Sequence, residues 1–147
     1  MPNYIIKSPE NNEEWEKYLL FRWEILRKPL GMSKDSLADS IEDESYHLMG
    51  IDKKGNVIAS GRVHFNSKHE AQIRYMAVDD KLKRKGIGSE IVFNLEQYAL
   101  SKGANKMTLN AREKAINFYL SLGYEELGPY QSDTGIPHKT MEKSLID

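Results

Sequence analysis

The chain has 147 residues, 39% hydrophobic and 29% charged, which suits a single domain with one core. Its formal net charge is −1 with basic and acidic residues interspersed, which argues against a nucleic-acid-gripping protein. Cysteine is absent, so disulfides, thiolate metal sites and a cysteine nucleophile are excluded and a cytoplasmic setting is expected.

No apolar run is long enough to span a bilayer, and Met1-Pro2-Asn3-Tyr4 lacks the basic and apolar regions of a signal peptide. No repeat or Pro/Gly/Ser-rich linker divides the chain, so residues 1–147 read as one domain. Tyr4–Lys7 reads as a short strand. Asn11 or Asn12 can cap a helix whose first turn carries Glu13 and Glu14. Trp15, Leu19, Trp23 and Leu26 recur along it at helical spacing, and Pro29 and Gly31 end it. Ser33 can cap a second, short helix carrying Leu37 and Ile41. Tyr46–Ile51 and Val57–Phe65 are β-rich runs joined by the hairpin-type turn Asp52-Lys53-Lys54-Gly55-Asn56. Ala71–Val78 extends that meander. Gly86–Ser101 reads as a helix with Ile91, Leu95, Tyr98 and Ala99 on its core stripe, and Gly103 follows its end. Lys106–Asn110 is a strand, Lys114–Leu122 a helix ended by Gly123, and two strands close the chain near Glu125–Leu127 and Lys139–Leu145.

Two segments carry chemistry. In Ala77-Val78-Asp79-Asp80-Lys81-Leu82-Lys83-Arg84-Lys85-Gly86-Ile87-Gly88-Ser89 a strand runs through a basic loop into a helix that opens at Gly-Ile-Gly. A helix start offers unpaired N–H groups and partial positive charge, and glycines let a phosphate approach the backbone. A dinucleotide fingerprint would need a third glycine at position 91, which is Ile91, and no P-loop pattern is present. About thirty residues on comes Ala115-Ile116-Asn117-Phe118-Tyr119-Leu120-Ser121-Leu122-Gly123-Tyr124. In order and spacing the pair resembles the GNAT superfamily of acetyl-CoA-dependent N-acyltransferases. The element order β-α-α-β-β-β-α-β-α-β-β resembles that family over the whole length, which implies an α/β fold with a mixed central sheet flanked by helices.

The resemblance assigns roles. GNAT enzymes open their third helix with Q/R-x-x-G-x-G/A, matched here by Lys83, Gly86 and Gly88. Lys83 replaces the usual Gln or Arg, keeping a cation without the guanidinium fork. The cofactor, acetyl-CoA, is then expected on Lys83, Arg84, Lys85, Gly86, Ile87, Gly88 and Ser89, mainly through main-chain N–H groups. Backbone of Met76, Ala77 and Val78, on a strand that splays from its neighbour in the family, is expected to meet the thioester carbonyl. Asn110 and Phe118 complete the cofactor set. The pattern A-x-x-F-Y-x-x-x-G-[FY] puts the sulfur-side tyrosine of the family on Tyr119. A phenol titrates near 10 and a thiol near 8.5, so a hydrogen bond to the departing thiolate is expected, rather than full proton transfer.

The acceptor is an amine of a small molecule or peptide, and an alkylammonium is only about one part in a thousand neutral at pH 7.4. On one face behind Val78, alternation gives Met76, Arg74, Gln72 and Glu70; arginine and glutamine cannot act as bases, and Glu70 lies at the strand start. Gly135-Ile136-Pro137-His138, followed by Met141, resembles a segment of the ElaA-like subgroup of GNAT enzymes, as do Arg22 and Arg74-Tyr75-Met76-Ala77-Val78. That resemblance makes His138 the candidate base, and a histidine titrates near neutrality. Arg22, Arg74 and Arg112 are the candidate substrate-binding residues. Asp35, Asp39, Glu42, Asp43 and Glu44 form either an acidic wall to the acceptor site or a solvated face. Arg22, Arg27 and Arg74 argue instead for a carboxylate-bearing acceptor. His47, His64 and His69 are expected on strand or loop surfaces. No histidine pair has metal-ligand spacing, so no metal is expected. Neither nucleic acid nor membrane is an expected partner, and an edge strand near the C-terminus could support a homodimer. The expected activity is direct attack of the amine on acetyl-CoA in a ternary complex; the alternative is a non-catalytic acyl-CoA-binding sensor or partner domain.

Overall fold

The computed structural model describes residues 3–37, 39–82, 86–132 and 134–146. Its strands are β1 (Tyr4–Lys7), β2 (Tyr46–Asp52), β3 (Val57–Phe65), β4 (Glu70–Val78), β5 (Lys106–Arg112), β6 (Glu125–Gln131) and β7 (Pro137–Ser144). They form one sheet in the order β1-β2-β3-β4-β5-β7-β6. β4 and β5 run parallel, and every other neighbouring pair is antiparallel. A parallel pair needs a crossover, supplied here by helix α2 (Ile87–Ser101). The β2–β3 hairpin turns where expected: the Asp52 carboxylate accepts the N–H groups of Lys54 and Asn56, and Gly55 takes a left-handed φ of 82°.

Helix α1 (Asn12–Leu26) is capped by Asn11, whose side chain accepts the Glu14 N–H at 2.9 Å. Its buried residues are Tyr18, Phe21 and Arg22, while Leu19 is exposed. The helix therefore presents a face rotated from the expected Trp15-Leu19-Trp23-Leu26 stripe. Apolar periodicity misses it because polar-tipped side chains are what this face buries. The second short helix is realised as two 3-10 turns, Lys34–Leu37 and Glu42–Glu44. Between them the Asp39 carboxylate turns back to accept the Ile41 N–H, which competes with helical bonding. The last helix, α3 (Ile116–Ser121), follows a 3-10 turn at Glu113–Ala115.

The apolar core lies between the sheet and α2, where Ile87, Ile91, Val92, Leu95 and Ala99 pack with Leu48, Ile58, Val63, Ile73, Met107 and Leu109. A Cβ on Gly61 would sit 2.7 Å from both Ile91 Cγ2 and the Met76 sulfur, so this glycine is what lets α2 approach the sheet.

One irregularity shapes the molecule. Register shifts between Ser60 and Arg62, so Tyr75 and Met76 of β4 together oppose Gly61 of β3. Tyr75 has φ 56°, a left-handed conformation that costs a side-chain-bearing residue about 1–3 kcal/mol. The bulge breaks the strand's alternation. Met76 packs over Gly61 beside α2, and Val78 lies near Gly88 of α2. Arg74 reaches Asp39, and Tyr75 stacks under Arg22 of α1. The expected single face Met76-Arg74-Gln72-Glu70 is thus corrected: Met76 and Arg74 lie on opposite sides of the sheet. Beyond the bulge β4 also leaves β5. Their parallel ladder ends at Ile73 opposite Leu109, whereas β5 stays paired with β7 up to Arg112 opposite His138.

Candidate active site

The first half of the site is the start of α2. Gly86 caps it in a left-handed conformation (φ 90°) with no side-chain cap. The N–H groups of Ile87, Gly88 and Ser89 meet no acceptor among the described residues, so they present a ready anion site. A Cβ on Gly88 would lie 3.3 Å from both the Phe118 ring and Val78. The two sequence motifs therefore meet here, with the α3 phenylalanine laid across the glycine that opens α2. Lys83, Arg84 and Lys85 lie outside the described residues.

The second half is the opening between β4 and β5, a cleft of about 210 Å³. Arg74, Tyr75 and Met76 form one wall and Asn110, Ala111 and Arg112 the other. Ala77 is buried and Val78 half-buried behind the first wall. The Asn110 side-chain oxygen accepts the Thr140 hydroxyl at 2.7 Å. Tyr119 lines the cleft with its ring edge-on to Phe118 and Tyr124. It is 6% exposed, and its hydroxyl has no hydrogen-bond partner among the described residues. Burial pushes the phenol well above its ordinary range, so it is a neutral donor at any working pH.

His138 lines the same cleft, carried there by β7 between Arg112 and Tyr130. Its Nδ1 lies 2.7 Å from the Ile136 carbonyl oxygen. A carbonyl only accepts, so Nδ1 carries a proton, and in the neutral ring Nε2 is the nitrogen left to accept one. Glu70 does not line the cleft. It is engaged by Asn66 and Lys106, whose hydrogen bonds hold its pKa below the ordinary carboxylate value, which makes it the poorer base.

The arginines divide into two groups. Arg22 and Arg62 are fully buried and paired with Glu42, and Arg62 also with Asp39. Arg22 is thus placed in an internal ion cluster behind the cleft, not on its wall. Arg27, Arg74 and Arg112 do line the cleft. Arg74 touches Asp39 at 3.5 Å, while Arg27 and Arg112 both donate to the Leu26 carbonyl at the end of α1. The guanidiniums of Arg22, Arg27, Arg62 and Arg74 surround the Tyr75 ring at 4.2–5.8 Å.

Asp39 and Glu42 are consumed by this cluster, and Asp35, Asp43 and Glu44 are exposed. Two histidines expected on surfaces are buried instead. His47 is 5% exposed and bonds the Tyr18 hydroxyl, and His64 is 8% exposed beside Arg62. Each is drawn inward by a polar partner on the α1 side of the sheet, whereas His69 stays exposed. Sequence reasoning missed Arg62, Tyr75 and Tyr130. The signal for Arg62 was present: a lone arginine within the apolar strand 57–65. Nothing marks the bulge that re-aims Tyr75.

Splayed parallel strands, a bare helix start and a buried tyrosine at their junction are the arrangement that the resemblance to acyltransferases implies. A profile of the acetyltransferase (GNAT) domain matches residues 27–145, and the chain belongs to that family. It is 28% identical over 135 residues to a Bacillus subtilis (strain 168) protein called uncharacterized N-acetyltransferase YjcF, covering 91% of this chain and 95% of that one. Escherichia coli ElaA superposes with a TM-score of 0.79 at 16% identity, over 98% of this chain and 100% of that one. An aminoglycoside 6'-N-acetyltransferase solved with coenzyme A superposes with a TM-score of 0.77 at 15% identity, over 97% and 98%. No described helix is long and apolar enough to cross a membrane, and no group of three or more metal-capable side chains occurs among the described residues.

Proposed function

We propose that this protein transfers an acetyl group from acetyl-CoA to the amine of a small molecule or peptide by direct attack in a ternary complex. One observation carries the reading: Tyr119, whose hydroxyl has no partner among the described residues, and His138 line one cleft at the place where β4 and β5 part. The bare N–H groups of Ile87, Gly88 and Ser89 fit a pyrophosphate, with Lys83, Arg84 and Lys85 adding charge. When bound, the cosubstrate supplies an activated thioester. Main-chain N–H groups from Met76 to Val78 would hold the carbonyl oxygen, Asn110 and Phe118 would border the pantetheine arm, and Tyr119 would donate to the departing sulfur. His138 would strip the ammonium proton, since no other described residue lining the cleft is a histidine or a carboxylate. The proposed setting is cytoplasmic, and β6, the C-terminal of the sheet's two edge strands, is the proposed place for a second copy.

Thiol release from acetyl-CoA with a panel of amines tests the activity. His138→Gln should remove the acid limb of kcat/KM and lower the rate at pH 7 by about tenfold or more. The limb must be measured with acceptors of different basicity, so that the amine's own titration is separated from the enzyme's. A variant that keeps both rate and limb would place the base elsewhere.

A further inference from the structure

The acceptor side of the cleft is unusually cationic. Arg27, Arg74 and Arg112 line it, Arg22 and Arg62 lie buried behind it, and among the described residues the carboxylates paired with these arginines are Asp39 and Glu42. Glu42 pairs with Arg22 and Arg62, and Asp39 pairs with Arg62 and, at 3.5 Å, with Arg74. Among the described residues, Arg27 and Arg112 have no acidic partner. They are gathered by a neutral group, the Leu26 carbonyl at the C-terminal end of α1, at 3.4 Å and 2.9 Å. A helix C-terminus attracts cations without cancelling their charge. The Arg27 Nε is buried with no partner. Burial, then repulsion from Arg112, Arg74 and Arg22, makes its charge harder to hold, relieved only by Tyr75.

From this we infer that the acceptor amine carries a carboxylate, seated between Arg27 and Arg112 with Arg74 beside it. The inference rests on the transferase reading above and names its substrate class. A guanidinium fork matches the two oxygens of a carboxylate, and two such forks anchored to one carbonyl are pre-organised for it. With the anion held there, the amine is directed toward His138 and Tyr119 on the same cleft. A polycationic acceptor such as an aminoglycoside, which one structurally similar enzyme acetylates, would meet three like charges at this wall.

The test compares 4-aminobutyrate and 6-aminohexanoate with their primary amides, with 3-aminopropylphosphonate, and a short peptide with its C-terminal amide. The acids should be acetylated with kcat/KM about tenfold or more above their amides. Arg27→Gln and Arg112→Gln should each raise KM for the acid about tenfold while leaving the amide and the acetyl-CoA affinity within about twofold. Arg27→Lys, which keeps the charge, should retain part of the preference. Independently of turnover, the acids and not the amides should raise the melting temperature of the coenzyme A complex. Acids that protect the complex without being acetylated would remove the transfer reading and leave this one standing. Amides acetylated as well as acids, or losses in the variants shared equally by both, would overturn the carboxylate seat, and a phosphonate preferred tenfold over the acids would do the same. The peptide pair separates the two sources of such a carboxylate, a free amino acid and a chain terminus.

Discussion

The two ends of the active site are built from different materials. The proposed cofactor end is backbone: the start of α2, where Gly86 and Gly88 leave N–H groups bare and Phe118 packs against the second glycine. The proposed acceptor end is side chain: guanidiniums from α1, β3 and β4 around Tyr75, with Arg112 of β5 at the Leu26 carbonyl. A backbone site depends on local conformation, so few residues encode it and most substitutions around it are tolerated. A side-chain site depends on what several distant segments bring together, so it can change its specificity without changing the fold. The contrast makes a sharp demand. Damage to the helix start should remove cofactor binding whatever the acceptor, and damage to the arginine wall should leave cofactor binding alone.

The largest expected effect is at the helix start. Gly88→Glu should abolish protection of the protein by coenzyme A, but its Cβ already meets Phe118 and Val78 at 3.3 Å, so packing is disturbed as well. Ser89→Glu separates the two. Ser89 is half-buried in the first turn of α2, where a carboxylate suits the helix dipole and should leave stability unchanged or slightly raised. The same charge repels a pyrophosphate. Wild type at a hundredfold excess of coenzyme A over Kd should gain about 2.7 kcal/mol, read as a rise in melting temperature, and Ser89→Glu should gain almost none. Undiminished protection of Ser89→Glu would move the phosphate site off this helix.

What was legible in the sequence follows the same division. The strand-loop-helix passage into Gly86-Ile87-Gly88 and the helix bearing Tyr119 were readable because glycine placement and local order are written in consecutive residues. All seven strands were readable from their β-rich runs and turns. The acceptor end was not, because three facts about it are non-local. The β4 bulge puts Met76 and Arg74 on opposite faces, and neither residue type announces it. Arg22 reads as a reaching cation on an amphipathic helix, yet it is buried against Glu42, a partner 20 positions away. The acidic stretch 35–44 reads as one patch, yet the fold takes Asp39 and Glu42 inward and leaves Asp35, Asp43 and Glu44 outside. Pairing of this kind is decided by tertiary packing after the pattern has done its work.

Tyr119 stands at the junction of the two ends and carries the intermediate effect. Tyr119→Phe should lower kcat by about 10–100-fold with coenzyme A affinity close to wild type. The ring stays to pack on Phe118 and Tyr124, and in the proposed mechanism the lost hydroxyl acts only as negative charge develops on the departing sulfur. Because burial raises the phenol's pKa further, proton transfer is still less favourable than for an ordinary tyrosine. The remaining rate should therefore show no new pH limb. Equal kcat for the two proteins would assign Tyr119 to core packing.

The smallest effect concerns stability, and it tests the ion cluster behind the acceptor end. His47 donates from Nε2 to the Glu42 carbonyl at 2.9 Å; in the neutral ring, which burial favours, Nδ1 then accepts the Tyr18 hydroxyl 2.8 Å away. Burial lowers its pKa and outweighs the Glu42 carbonyl and carboxylate, which pull the other way. His64 is lowered by burial and then by Arg62. In the unfolded chain both would take a proton near pH 6.5. Their contribution to stability is then complete above that pH and declines as pH falls through it toward the lower folded values. Asp39 acts in a separate, more acidic window. Burial opposes its ionisation, but Arg62, the Ile41 N–H and Arg74 together hold its pKa below the ordinary value. Its share is present above about pH 3.8 and is lost as pH falls through the folded value. Between pH 7.5 and 5.5 the melting temperature should drop by about 2–4 °C, with a further loss below pH 4. Gln at position 47 keeps one donor and one acceptor but cannot be protonated, so His47→Gln should flatten part of the first step and leave the second. A melting temperature that rises or stays level from pH 7.5 to 5.5 would mean that these histidines are charged in the fold, and the cluster behind the arginine wall would then hold more positive charge than the two carboxylates balance.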